Sequence, residues 1–433
     1  MEFQPPEIAY FPMLPVILMA GWGLIMMVID MFVPDENSSW TPWFALAGPV
    51  LALLASLTLW GQNIGTFIPF NGEPMVLIDN YSTFLNIIFC LTAILTILMS
   101  VTYLRRAGLE RAEFYLLILF SATGMMLMGM ANDLILIFVA LEVLSIPLYI
   151  MSGMASPRPE SEESAMKYFL LGAFSSGIFV FGIALTYGAT ASTSLPVVLA
   201  NIGDGGALGF AGAAFLLVGL GFKVAVTPFH MWTPDVYEGA PTVVTAFMSV
   251  GAKVGGFGAM LRVFAGALPE IGDAWVPATV EVAALTLIVG NVVAIAQPHI
   301  KRMLAYSSIA HAGYIMMAVA ASSSSPDGVS SALFYMFAYL FTNLGAFAIV
   351  IALEKNDNQG LQLDDYKGLA TRSPLVAMAL AYFMFSFTGI PLTGGFAGKF
   401  FVFRASIEAG LIGLTIVGVL TSVVSGFYYL RDV

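Results

Sequence analysis

Long apolar runs, separated by short polar segments, follow one another along almost the whole chain. A helix needs about 20 mainly apolar residues to cross a membrane. Runs near this length occupy, approximately, residues 13–33, 42–60, 76–102, 113–130, 133–154, 165–188, 208–237, 242–265, 278–297, 301–320, 330–353, 373–408 and 410–430. The pattern therefore predicts an all-α polytopic membrane protein with about thirteen transmembrane helices.

Two of these runs are too long for one straight helix. Residues 373–408 would extend about 54 Å at 1.5 Å per residue, whereas the hydrocarbon core is about 30 Å thick. A stretch rich in glycine and proline, 389–395, lies near the middle of this run, and Pro228 interrupts run 208–237. Irregular backbone at membrane depth is tolerated where protein buries it or where it lines a wet cavity. Two broken helices therefore indicate a transport path, and a simple packing kink is the alternative at each position.

The two predicted breaks fall in the seventh and twelfth spans, five helices apart. This spacing predicts N-terminal helices 1–3 in residues 1–112, a first repeat of helices 4–8 in residues 113–265, and a second repeat of helices 9–13 in residues 266–433. Because each repeat has an odd number of helices, the second copy must insert upside down. Inverted repeats with discontinuous helices are a recurrent plan of transporters.

Composition agrees with a membrane protein and limits its chemistry. Only 10% of the residues are charged and 59% are hydrophobic, whereas soluble domains carry about 25% charged residues. The net charge of -11 comes mostly from acids in loops and tails, which favours solvated connecting segments over a basic partner. The single cysteine, Cys90, excludes an intramolecular disulfide, an all-thiolate iron–sulfur site and a multi-cysteine zinc site within this chain.

The distribution of basic residues predicts the orientation. If the N-terminus starts outside, ten basic residues of short loops all lie on the cytoplasmic side, as the positive-inside rule requires. They are Arg105, Arg106, Arg111, Arg158, Lys301, Arg302, Lys355, Lys367, Arg372 and Arg431, and the opposite loops at 61–75, 189–207, 266–277 and 321–329 contain none. The first apolar run lacks a preceding basic segment, which predicts a retained first helix rather than a cleaved signal peptide.

Charged residues near the centres of spans are the candidate functional groups. Glu142, Lys223, Lys253 and Lys399 lie there, and each charge at mid-helix opposes insertion by about 2.5–3.5 kcal/mol. We therefore expect them to pair or to contact water. A structural ion pair between Glu142 and one lysine is the alternative, although it leaves two lysines unexplained. The remaining basic residues lie nearer span ends, where long side chains reach the interface; these are Lys167, Arg262 and Arg404.

The three histidines lie in different predicted surroundings. His311 lies centrally in its span and could bridge two lysines, because imidazole accepts and donates protons near neutral pH. A core histidine that is simply hydrogen-bonded is the alternative. We expect His230 to join the polar region after Pro228 and His299 to be solvated in a cytoplasmic loop. The glycines before Lys399 lack the spacing of a phosphate-binding loop, so a nucleotide site is not predicted, and neither is a metal site.

Five segments carry a resemblance to a known family. Residues 141–149, 165–172, 222–241, 300–314 and 388–399 resemble the antiporter-like membrane subunits of respiratory complex I, the bacterial NADH:quinone oxidoreductase. The resemblance extends from about residue 70 to the end of the sequence. Residues 232–241 are more similar to the subunit N branch than to subunits M and L or to the stand-alone Mrp-type antiporters. Family members usually have fourteen transmembrane helices, one more than the runs found here.

The resemblance implies a function and a role for each candidate residue. It implies proton translocation driven by quinone reduction elsewhere in an enzyme complex, with Glu142 and Lys223 as the proton-input pair and Lys253 on a central polar axis. Lys399 would face the exit half-channel, and His311 would connect the lysines. The resemblance further implies no cofactor in this chain, with flavin, iron–sulfur clusters and quinone held by partner subunits. Subunits M and K would be neighbours in the bacterial inner membrane. A sodium/proton antiporter and an inert scaffold subunit are the alternatives.

Overall fold

A computed structural model describes residues 8–32, 40–69, 72–355 and 359–432. These ranges contain the following helices: α1 (Leu14–Asp30), α2 (Thr41–Thr58), α3 (Asn80–Ala107), α4 (Ala112–Met130), α5 (Leu134–Ser152), α6 (Pro159–Thr190), α7 (Leu195–Asn201), α8 (Gly206–Val224), α9 (Thr233–Gly239), α10 (Thr242–Leu261), α11 (Gly272–Ile295), α12 (Ile300–Ala321), α13 (Asp327–Leu353), α14 (Leu369–Arg372), α15 (Pro374–Thr388), α16 (Gly394–Glu408) and α17 (Ile412–Asp432).

Twelve helices of the described chain are long and apolar enough to cross a membrane. The run predicted to make a thirteenth crossing corresponds to α15 and α16, each of which is too short to span a membrane alone. The prediction of an all-α polytopic membrane protein is therefore confirmed.

The run predicted as a helix over residues 76–102 is wrong at its start. Val76–Ile78 forms a strand, β2, which pairs antiparallel with β1 (Ile64–Thr66). Helix α3 begins only at Asn80, because Asp79 caps it by accepting a hydrogen bond from the backbone N–H of Ser82. Asp79 also binds Arg262 through two contacts of 2.7 and 2.8 Å. Arg262 therefore does not merely extend toward the interface but ties α3 to the end of α10.

Both predicted helix breaks occur in the structure. α8 ends at Val224, Ala225 adopts a left-handed conformation with φ 61°, and α9 begins at Thr233. α15 ends at Thr388, where Gly389 has φ 87°, and α16 begins at Gly394 after a cap by the Thr393 side chain. A glycine suits a position of positive φ because it has no Cβ to collide with the backbone. Each break thus leaves helix-terminal peptide groups within the helix bundle.

The packing pattern supports the predicted repeat without testing its inversion. In the first set of five the helices are α4, α5, α6, the broken α8–α9 and α10, and in the second they are α11, α12, α13, the broken α15–α16 and α17. In both sets the first helix packs on the second, the third packs on the broken helix, and the first packs on the fifth. The two-repeat organisation stays a prediction.

Helix α10 occupies the centre of the bundle. All twenty of its residues are buried, and it contacts α3, α4, α5, α8, α9, α12 and α13. Helix α12 is nearly as enclosed. These two helices carry Lys253 and His311, so neither residue can face lipid.

Candidate functional site

Lys223 lies one residue before the end of α8 and is 4% exposed. Its ammonium donates to the Ser145 hydroxyl on α5 at 2.7 Å and contacts the Tyr168 hydroxyl on α6 at 3.4 Å. Ser145 in turn donates to the carbonyl of Leu141 one turn earlier. The first lysine is therefore held by side-chain hydroxyls of two neighbouring helices.

Glu142 lies one turn before Ser145 on α5 and is only half-buried. It accepts a hydrogen bond of 2.5 Å from the Ser176 hydroxyl of α6. Within the described residues no salt bridge of 4.0 Å or less joins Glu142 to a lysine. The alternative of a structural ion pair is therefore not formed. Ser176, Ser145 and Lys223 line one small cavity, which places Glu142 beside the polar surroundings of Lys223.

Lys253 lies in α10 and is 3% exposed. Its ammonium donates to the backbone carbonyl of Ser308 on α12 and, at 2.6 Å, to the hydroxyl of the same serine. That hydroxyl also accepts from the Tyr339 hydroxyl of α13 at 3.0 Å and lies 3.5 Å from the Tyr237 hydroxyl of α9. Ser308 thus joins four structural elements around the second lysine.

Aromatic residues fill the space between the first two lysines. Tyr168, which contacts Lys223, stacks on Trp232 with ring centroids 4.5 Å apart, and Trp232 lies 6.4 Å from Tyr237. The indole N–H of Trp232 donates to the carbonyl of Phe222 at 3.0 Å, inside the first break. The first break therefore packs directly against the side chains that surround Lys223 and Lys253.

His311 has a tyrosine at each ring nitrogen. Nδ1 lies 2.5 Å from the Tyr335 hydroxyl, and Nε2 lies 3.2 Å from the Tyr429 hydroxyl of α17. Tyr429 also bonds Ser307, the neighbour of Ser308 on α12. The histidine is 4% exposed, and its two hydroxyl partners let it accept a proton on one side and donate one on the other.

Lys399 lies in the second turn of α16 and is 3% exposed. Its ammonium donates to the carbonyls of Phe387 and Thr388 at 2.9 and 2.8 Å and to the Ser422 hydroxyl at 2.8 Å. The two carbonyls belong to the last turn of α15. Cations are stabilised at a helix C-terminus by the unpaired carbonyls and the helix dipole, so the second break itself supplies a cation site. The ammonium also lies 4.6 Å from the centroid of the Tyr314 ring.

The structure thus buries three predicted lysines and His311 inside the bundle, and Glu142 lies at its edge. His230 does not join them, because its Nδ1 is buried without a hydrogen bond among the described residues. The assignment of Lys301 to a loop and the expected solvation of His299 in the loop before α12 are both wrong. Lys301 is 1% exposed and donates to the carbonyls of Glu238 and Ala240 at 2.8 and 2.6 Å, and His299 is half-buried. Both differences arise because α9 packs onto the start of α12.

Sequence reasoning missed the hydroxyl and amide groups that join the charged residues. These are Ser145, Tyr168, Tyr237, Ser308, Tyr335, Tyr339, Asn343, Ser422 and Tyr429. A signal existed in α13, where Tyr335, Tyr339 and Asn343 are four residues apart and therefore share one helix face. Asn343 extends this row to α10 by donating to the Ser249 hydroxyl at 2.5 Å. Among the described residues no group of three or more His, Cys, Asp or Glu side chains could hold a metal ion.

Comparisons with known proteins agree with this architecture. The family described as NADH:quinone oxidoreductase/Mrp antiporter, transmembrane, matches residues 131–425. The NADH-quinone oxidoreductase subunit N of Chloroflexus aggregans is 46% identical over 96% of this chain and 86% of its own length. A chain in the structure of respiratory complex I from Thermus thermophilus with bound aureothin has a TM-score of 0.81 and is 36% identical, over 96% of this chain and 88% of that one.

A more distant structure shares the fold alone. A chain of the Mrp complex from Dietzia has a TM-score of 0.87 at 23% identity, over 98% of this chain and 80% of that one. The extent of the family match and the identity to subunit N sequences lead to one conclusion. This chain belongs to the NADH:quinone oxidoreductase/Mrp antiporter family of membrane proteins.

Proposed function

We propose that this chain is a proton-translocating membrane subunit of an NADH:quinone oxidoreductase. The observation that carries the proposal is that Lys223, Lys253, His311 and Lys399 are all buried inside the bundle and each has hydroxyl partners. Hydroxyls accept and donate hydrogen bonds at one atom, so they suit groups that gain and lose protons. The identity to subunit N sequences favours the complex over other members of the family.

Each residue takes a place along the path. Glu142 and Lys223 form the input pair at the first break, and Lys253 and His311 lie on the central axis. Lys399 stands at the second break, on the exit side. In this scheme the hydroxyls of Tyr168, Tyr237 and Ser308 support transfer between the first two lysines, and those of Tyr335 and Tyr429 support transfer through His311.

The drive for this transport comes from outside the chain. Moving one proton against 100 mV requires about 2.3 kcal/mol, and the proposed path holds no redox group. Quinone reduction in other subunits of the complex supplies this energy, and flavin and iron–sulfur clusters belong to those subunits. Subunits M and K are the proposed membrane neighbours. The end of the bundle that carries Arg158 and Arg302 faces the cytoplasm, and the N-terminus lies outside the bacterial inner membrane.

Substitutions in the assembled complex test the proposed path. Lys223→Ala, Glu142→Ala and Lys399→Ala should each lower the number of protons pumped per electron in sealed proteoliposomes. The matched control is Lys367→Ala, which removes a lysine whose side chain is 77% exposed and should pump normally. Normal pumping by both Lys223→Ala and Glu142→Ala would exclude the input assignment, and a fully coupled Lys399→Ala complex would exclude the exit role.

The fold similarity to an Mrp complex chain makes a sodium/proton antiporter the second candidate. Purification from native membranes separates the two functions. Co-migration with flavin and iron–sulfur subunits supports the proposal, whereas sodium-dependent proton exchange by the chain without such subunits supports the antiporter. A scaffold subunit predicts instead that neutralising the buried charges changes assembly and leaves pumping per assembled complex intact.

A further inference from the structure

A buried carboxylate that the proposed path does not use lies at the end of the bundle that carries Arg158 and Arg302. Glu354 follows the last residue of α13 and is 4% exposed. Its Oε1 accepts a contact of 3.4 Å from the Tyr103 hydroxyl of α3, and its Oε2 is buried without a hydrogen bond among the described residues. A buried ionised carboxylate is costly unless it is paired, so this position is unusual for a residue with only a structural role.

The groups around Glu354 come from several elements and are mainly cationic or hydroxylic. The charge of Lys301 on α12 interacts with Glu354, and the charge of Arg158, before α6, interacts with Lys301 and Tyr103. Arg106 on α3 donates instead to the carbonyl of Ile351. Neither Lys301 nor Arg106 forms a salt bridge of 4.0 Å or less with Glu354 within the described chain. The carboxylate thus lies close to positive charge without a salt bridge to Lys301 or Arg106.

Tyr103 connects this carboxylate to the start of the central helix. Its hydroxyl accepts from the backbone N–H of Thr242, the first residue of α10, at 3.1 Å. Lys253 lies eleven residues further along α10, which corresponds to about 16 Å at 1.5 Å per residue. Asn343, eleven residues before Glu354 on the antiparallel α13, contacts α10 near Lys253 through Ser249. Glu354 therefore stands at one end of the α10–α13 contact and the central polar cluster at the other.

The interval between the two ends is mainly apolar, apart from Thr245 on α10, whose hydroxyl donates to the carbonyl of Tyr237 at 3.0 Å. Phe247 on α10 and Phe347 and Val350 on α13 are fully buried there. Hydrophobic constrictions of this kind conduct only when water enters them. The order along the contact is thus a buried carboxylate, an apolar section and then the lysine cluster, which is the order expected of a proton-loading site behind a gate.

We infer that Glu354 is a proton-loading site that supplies the central axis from the cytoplasmic side, an inference that rests on the proposed function. Oε2 takes up a proton from the cytoplasm and the carboxylate becomes a carboxylic acid. Lys253 first passes its own proton onward along the axis and becomes a neutral amine. When the apolar section hydrates, the proton of Glu354 passes to this amine, which becomes an ammonium again, and the carboxylate is restored. Tyr103 is a positioning residue that holds Oε1.

The test compares Glu354→Gln with Glu354→Asp in the assembled complex. Glu354→Gln should lower the protons pumped per electron while quinone reduction continues, and Glu354→Asp should recover part of the loss because it restores a carboxylate. The control is Glu113→Gln, which removes an exposed carboxylate from the first turn of α4 and should pump normally. Normal pumping by Glu354→Gln would overturn the inference.

An infrared measurement tests the protonation itself. The difference spectrum between resting and turning-over complex should contain the C=O stretch of a buried carboxylic acid, which disappears in Glu354→Gln and persists in Glu113→Gln. If Glu354→Gln fails to assemble, Tyr103→Phe should shift this band, and an unchanged band would count against the site.

Lys253→Ala separates the inference about Glu354 from the proposed function. Normal pumping by Lys253→Ala would exclude the proposed central axis. If Lys253→Ala loses pumping while Glu354→Gln pumps normally, the role of Glu354 is excluded and the proposed central axis stands.

Discussion

The two broken helices hold their lysines in different ways. At the first break Lys223 precedes the interruption, and its ammonium contacts hydroxyls of α5 and α6 rather than the carbonyls at the end of its own helix. At the second break Lys399 follows the interruption, and its ammonium caps the last turn of α15 through two carbonyls. Lys223 is held by side-chain hydroxyls alone, which can rotate, whereas Lys399 is held mainly by peptide groups fixed in a helix end, with one hydroxyl, that of Ser422, beside them.

The hydrogen bonds to the lysine can be rearranged more easily at the first break than at the second. Side-chain hydroxyls change their hydrogen-bond direction by rotating a single bond, whereas helix-terminal carbonyls move only with the backbone. Glu142 lies close to the first lysine without pairing to it, and no acidic residue forms a salt bridge with Lys399 in the described chain. We therefore expect the first break to respond to charge and the second to respond to backbone geometry. Substitutions at the two breaks and a change of pH should therefore have different effects on stability.

The largest effect should come from Gly395→Ala at the second break. A Cβ at this position would lie 1.8 Å from the backbone carbonyl oxygen of Ser386, so α15 and α16 would have to separate. Overpacking against backbone of this severity should cost at least about 3 kcal/mol. The amount of assembled complex in the membrane and its thermal stability measure the loss.

The control for this glycine is Gly413→Ala near the start of α17. A Cβ there meets nothing within 4 Å, so this variant should assemble normally. Equal loss in both variants would mean that the close approach of α15 and α16 is not what requires Gly395.

Replacing Lys399 should lower the stability of the complex by an intermediate amount, and replacing Lys223 should lower it less. Lys399→Met would leave the carbonyl of Phe387 without its lysine donor inside the protein, whereas the carbonyl of Thr388 would keep the Ser422 hydroxyl at 3.1 Å. The loss should cost about 1–3 kcal/mol. Lys223→Met removes a buried charge that has no salt bridge and should change stability little. Thermal unfolding of the two variant complexes measures the difference, and equal destabilisation would contradict the contrast between the breaks.

The smallest effect concerns pH and the anchoring of the first break. Burial, followed by the nearby charge of Lys301, lowers the pKa of His299 to about 4, from about 6.5 in an unfolded chain. Between these values the unfolded chain binds the extra proton, so stability should fall as the pH is lowered from about 6.5 toward 4.

One proton limits this slope to about 1.4 kcal/mol per pH unit. His299 lies beside Lys301, which binds the segment after the first break, so acid should loosen that break before the second. Unfolding curves of wild type and His299→Gln between pH 7 and 4 test this expectation. A slope that is the same in both proteins would contradict it.

The sequence was sufficient for the spans, the breaks and the charged candidates, because each depends on a local property. Apolar length fixes a span, and glycine with proline marks a break. The partners of the lysines could not be predicted in this way. That Tyr237 and Tyr339 both contact the Ser308 hydroxyl depends on the rotation of three helices about their axes. The burial of Lys301 likewise depends on α9, a seven-residue helix that is too short to produce a periodic signal.

The enclosure of α10 restricts how the protein can move. Every residue of this helix is packed against another part of the chain, and a densely packed interior resists sliding of one element past its neighbours. A piston-like stroke of the central helix would have to disrupt contacts with seven other helices of the described chain at once. Lys253 is therefore carried by a helix that stays fixed. The movements of a transport cycle are then those of rotating side chains, of entering water and of the less enclosed helices at the periphery.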